Sequence, residues 1–96
     1  MVKKVANNFV ISDELNEIIQ KLAKKDKPLA EALNKKMKQI INFEWTSLDH
    51  FKNLQYSLSD FKRAHISKSF VLLFRVDKQH NQIRFETLKH HDEAYK

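Results

Sequence analysis

Cysteine and glycine are both absent from this chain of 96 residues, and proline occurs once. Without cysteine there is neither a disulfide framework nor a thiolate metal site, which is compatible with a reducing cytosol. Without glycine, any turn that needs a positive φ has to use Asn, Asp or His, and Asn81 is the expected residue in the turn over 77–81. No apolar run approaches the roughly eighteen residues of a membrane span, and the N-terminal stretch lacks a signal-peptide apolar segment. Low-complexity segments and internal repeats are also missing. The expectation is one domain over residues 1–96, cytoplasmic and without a membrane partner.

The charge is plentiful and uneven. Eighteen Lys and Arg stand against twelve Asp and Glu, a formal net charge of +6, which favours a polyanionic partner. Residues 61–96 hold eight of the basic residues against four acidic ones, and with them all three arginines and four of the five histidines. Arginine's planar fork suits phosphate oxygens, so Arg63, Arg75 and Arg84, with Lys68, are the candidate nucleic-acid-binding residues, RNA-binding if the partner is RNA.

Periodicity predicts the elements. Residues 4–11 form a short first strand. Ser12 or Asp13 caps a helix whose apolar stripe is Leu15, Ile18, Ile19, Leu22 and Ala23. Asp26 caps a second helix, with Pro28 in its first turn and Leu29, Leu33, Met37, Ile40 and Ile41 on its apolar face. Residues 42–60 carry Phe43, Trp45, Phe51 and Tyr56, too apolar for a disordered linker, and read as an ordered connection. Residues 61–66 alternate, with Ala64 and Ile66 on one face and Arg63 and His65 on the other. Residues 69–76 are apolar on both faces, as in a central strand. Residues 82–88 alternate again, Ile83 and Phe85 inward and Arg84 and Glu86 outward, before a tail over 89–95 leaves the sheet edge. The whole is an α+β fold, an N-terminal helical hairpin packed on a three- to four-stranded antiparallel sheet.

A face bearing Arg63, His65 and Arg84 beside a tail bearing Lys89, His91 and Tyr95 has the groups that cleave a ribonucleotide backbone. A base takes the 2′-hydroxyl proton, an acid protonates the departing 5′-oxygen, and cations offset the phosphorane charge. Histidine serves the first two near neutral pH, and Tyr95 can stack on a base or donate a proton. Composition by itself reaches only a basic binding surface. His90, His91 and Asp92, with His50, His65 or His80, lack the ligand spacing of a zinc site, so neither metal nor cofactor is expected.

The order of these pieces resembles the RelE/ParE toxin superfamily of type II toxin–antitoxin systems, and the YafQ-like branch most. The resemblance rests on the Lys24-Lys25-Asp26 break between two amphipathic helices, then Arg63-Ala64-His65-Ile66, then Val71-Leu72-Leu73-Phe74, then His91 with Tyr95 four residues on. It implies a RelE-like fold and a metal-independent endoribonuclease, an mRNA interferase that cuts messenger on the ribosome and inhibits translation. It also implies a cognate antitoxin, with a monomer when free and a hetero-oligomer when bound. His65, His91 and Tyr95 match the YafQ-like catalytic positions. Lys62 and Lys89 fall on a catalytic lysine and a catalytic arginine of the RelE branch. Val71 and Ser69 stand where the two branches carry an arginine and an aspartate. A gyrase-binding toxin of the ParE kind, or a decayed toxin that only binds its antitoxin, are the alternatives. The histidine pair and terminal tyrosine favour cleavage.

Overall fold

The computed structural model describes residues 8–42, 61–77, 79–80 and 82–94. The expected connection over 43–60 and the residues His50, Asn81 and Tyr95 lie outside them. Two residues set the helices. Ser12 is extended, with φ −63° and ψ 158°, and its hydroxyl accepts the Leu15 N–H at 3.0 Å, starting α1 (Asp13–Lys25). The same hydroxyl donates to the Glu86 carbonyl, and the Ser12 N–H donates to the Phe85 carbonyl at 2.9 Å, so the helix start is tied to the sheet. Asp26 ends α1 by donating its N–H to the Leu22 carbonyl at 2.8 Å. Its carboxylate accepts the Leu29 N–H at 3.2 Å and so opens α2 (Lys27–Ile41), with Pro28 in the first turn. One residue that closes one helix and caps the next leaves no slack, and the hairpin expected from the break at 25–27 results.

The sheet is mixed. Its strands are β1 (Asn8–Ile11), β2 (Lys62–Ile66), β3 (Phe70–Asp77) and β4 (Gln82–His90), in the order β1-β4-β3-β2. β2, β3 and β4 pair antiparallel as expected, but β1 runs parallel to β4, Phe9 opposite Ile83 and Ile11 opposite Phe85. A side-chain period of two reports burial and carries no direction, so orientation follows only from the partner. β4 is therefore an interior strand. It also runs further than the alternation suggested. Val71 pairs with Lys89 and Phe70 with His90, so the chain stays in the sheet to His90 before the short helix α3 (His91–Ala94).

Both helices cover one face. Leu15, Leu29, Leu33, Met37 and Ile40 pack on Ala64, Ile66, Leu72, Phe74, Ile83, Phe85 and Leu88. Ile18, Ile19, Leu22 and Ile41 are half-buried at the rim, and Ala23, expected in the stripe, is exposed. The opposite, outer face has a small apolar patch of Val71 and Leu73 under Phe61. Two irregularities matter for the site. The β3–β4 register slips between Leu73 and Phe74, leaving Glu86 as the extra residue of a bulge. In the turn from β2 to β3, Ser67 takes a φ of 54°, the left-handed region that glycine would occupy more easily. Among the described residues no helix is long and apolar enough to cross a membrane.

Candidate active site

Cross-strand partners share a face, so the register maps the outer face directly. His65, Val71 and Lys89 form one row, and Arg63, Leu73 and Thr87 the next. Beyond the bulge, Arg75 stands opposite Arg84. His65 and Lys89 are two strands apart, about 10 Å between backbones. Lys62 pairs with Phe74 and lies on the helix-covered side of β2 with Ala64 and Ile66, opposite to Arg63 and His65.

The end of β4 brings a second histidine to the first. The His91 N–H donates to the Ser69 carbonyl at 2.7 Å, fastening the start of α3 to the β2–β3 turn, where exposed Lys68 also lies. The rings of His65 and His91 are 5.7 Å apart between centroids, inclined by 32°. His90, one residue earlier, has its ring edge-on to Phe70 at 5.5 Å, on the helix side. The two adjacent histidines thus serve different surfaces. Asp92 is largely exposed, and its carboxylate reaches His91 Nδ1 only at 4.0 Å, a weak orienting contact. Chemically, two imidazoles on one face beside Arg63 and Lys89 can take and give protons next to a bound phosphate.

The remaining arginines share an acid. The Glu86 Oε1 atom lies 3.4 Å from Arg84 Nε and 3.8 Å from Arg75 Nε. The Arg75 guanidinium also sits over the Phe61 ring, 5.3 Å from its centroid. Strand alternation singled out neither Phe61 nor the shared role of Glu86, because both depend on cross-strand register and the bulge. A groove of about 280 Å³ opens beside Lys89, lined by Ser12, Glu14, Phe61, Leu73, Glu86 and Thr87, so the α1 start borders the site as well as capping the helix. His80 serves the turn, as expected. Its Nδ1 lies 2.7 Å from Asp77 Oδ2 and its N–H donates to Oδ1 at 3.2 Å. That side-chain hydrogen bond holds the Asp77 carboxyl below its ordinary range.

No family model matches the chain. A protein of Methanocaldococcus jannaschii named "Putative toxin RelE4" is 45% identical over 86 residues, covering 90% of this chain and 87% of that protein. Among solved structures, YafQ of E. coli strain BL21(DE3) superposes with a TM-score of 0.70 at 17% identity, covering 94% of this chain and 99% of YafQ. A chain of the RelBE2 toxin–antitoxin complex of Mycobacterium tuberculosis gives 0.71 at 19% identity, with 93% and 97% covered. These two likenesses are of fold: two helices on one side of a four-stranded sheet.

Proposed function

The chain belongs to the RelE family of toxins, and on that footing we propose that it is the toxin of a type II toxin–antitoxin pair, a metal-independent endoribonuclease that cuts messenger RNA on the ribosome. The observation that carries this reading is the His65–His91 pair on a basic sheet face. In the proposed reaction the 2′-oxygen of one nucleotide bonds to the adjacent phosphorus, and the bond from phosphorus to the 5′-oxygen of the next nucleotide breaks. A neutral imidazole accepts the 2′-hydroxyl proton, and a protonated one delivers a proton to the departing oxygen. Arg63 and Lys89 flank the pair and offset the charge that builds on the phosphorane oxygens. Tyr95, which follows α3, completes the proposed catalytic set, and Arg63, Lys68, Arg75 and Arg84 hold the strand; Lys62, expected to be catalytic, lies on the helix-covered side of β2 away from the histidine pair and is left out.

The proposed partner in the resting state is an antitoxin segment lying over the same face, since a basic surface is matched by an acidic chain. The RelBE2 relative is itself a toxin–antitoxin complex, which supports such a partner. The test is primer extension on ribosome-bound messenger with wild type, His65→Ala, His91→Ala and Tyr95→Ala, each checked for folding by circular dichroism. Cleavage should be lost in the histidine variants. A well-folded His91→Ala that cuts at the wild-type rate would remove the ribonuclease reading and leave a toxin that acts by binding.

A further inference from the structure

We propose that Arg75 and Arg84 form a phosphate subsite for single-stranded RNA, which the Glu86 carboxylate occupies in the free protein. The inference rests on the RNA reading above and adds a second anchor to it, away from the histidine pair. Arg75 and Arg84 are direct cross-strand partners on the outer face, and like charges so paired repel unless an anion lies between them. The bulge supplies that anion by turning Glu86 toward both.

Glu86 fills the position poorly. One carboxylate oxygen serves two guanidinium groups at 3.4 and 3.8 Å, longer than a good hydrogen bond. Arg75 Nε is buried and has no hydrogen-bond partner, an unused donor. The Phe61 ring lies against the Arg75 guanidinium, 5.3 Å from its carbon to the ring centroid. A phosphodiester, with its charge spread over two outward oxygens, can serve both forks where one carboxylate oxygen does not. The two arginines line a cleft of about 460 Å³ with Val76, Asp77 and Gln79, and the Asp77 carboxylate is engaged by His80. Along β3, Arg75 lies four residues from Val71, the strand neighbour of His65, which is about 13 Å. A strand cut at the histidine pair would therefore pass the arginines a short way from the scissile bond, on the same face. Binding would exchange one anion for another, so Glu86 sets how strongly the subsite discriminates against weak polyanions.

The test uses the full chain and an uncleavable 2′-O-methyl octaribonucleotide read by fluorescence anisotropy, with inorganic phosphate as a second probe read at the arginine Nε–H resonances. Glu86→Gln should tighten the oligonucleotide about two- to fivefold, the size set by partly exposed ion pairs. Arg84→Gln should weaken it, lower the salt slope by about 0.7, and cancel the Glu86→Gln gain in the double variant. Phosphate should move the Arg75 and Arg84 signals, at lower concentration in Glu86→Gln. Oligonucleotide binding that depends on Arg63 and Lys89 but is unchanged or weakened by Glu86→Gln would overturn the subsite and spare the ribonuclease reading. Absence of RNA binding, with phosphate still moving the arginine signals, would sink the ribonuclease reading and keep the anion site. A glutamate-rich peptide that gains from Glu86→Gln, while phosphate moves nothing, would overturn the phosphate assignment in favour of a protein partner.

Discussion

The imidazoles of His65 and His91 lie 5.7 Å apart because both are fixed to the same turn: His65 precedes it on β2, and the His91 N–H is bonded to Ser69 within it. Each ring is positioned by backbone hydrogen bonds, so trimming one side chain leaves the other in place. His65→Ala and His91→Ala should each lower single-turnover cleavage on the ribosome about 10²- to 10⁴-fold with RNA affinity unchanged. The double variant should fall well short of the product of the two losses, because the rings act as a unit. Full multiplicativity in quenched-flow rates would show two independent roles.

Arg63 and Lys89 lie on either side of the Val71–Leu73 patch, and in the proposed function both contact the bound RNA. Removing either charge should lower the slope of log affinity against log salt by about 0.7, one phosphate contact each. Filter binding from low to moderate salt reads this slope, and an unchanged slope in Arg63→Ala would remove it from the interface.

Ser12 ties the α1 start to β4 through two hydrogen bonds of one hydroxyl. Ser12→Ala should destabilise the protein by about 1–2 kcal/mol in urea unfolding. Ser12→Thr keeps the oxygen and should lose less than half as much.

Asp77 provides a pH signature. Its hydrogen bond from His80 lowers the folded pKa below the ordinary value of 3.8, so the associated stability is present above that value and is lost as pH falls through the folded pKa. Carbon-13 titration of the Asp77 carboxyl should give a midpoint under 3.8, moving up in His80→Ala. A midpoint unaffected by that substitution would assign the shift elsewhere.

Ser67 holds a φ that a side chain opposes. Ser67→Gly should raise stability by up to about 1 kcal/mol, the relieved strain exceeding the added freedom of the unfolded chain. Thermal unfolding tests it, and a lower melting temperature would show that the Ser67 side chain stabilises the turn.

The helical hairpin was legible in the sequence because its determinants are local: apolar spacing and a single Asp26 that serves both helices. Alternation likewise assigned Ala64 and Ile66, and Ile83 and Phe85, to the core. It stopped at Leu88 because Lys89 and His90 are polar, although pairing with β3 keeps them in the strand. The direction of β1 was invisible for the same reason, being a property of the neighbour and not of the strand. At the site, alternation alone put Arg63 and His65 on one face; the approach of His91 depends on a turn hydrogen bond that no residue pattern encodes. The arginine pair with its acid needed the bulge, and a one-residue slip leaves no compositional mark.

The parallel pairing of β1 with β4 has a consequence in time. Among the described strands β1, the earliest in chain order, docks beside β4, the latest, and β3 needs that same late strand on its other side. Ordering such distant segments comes late in folding and is slow. A nascent chain that has not reached residue 91 lacks half of the histidine pair, and one that has not reached β4 lacks the strand that bears Lys89. Under the proposed function the cleavage site is therefore incomplete until β4 docks, and a partner already present can meet the chain at that step.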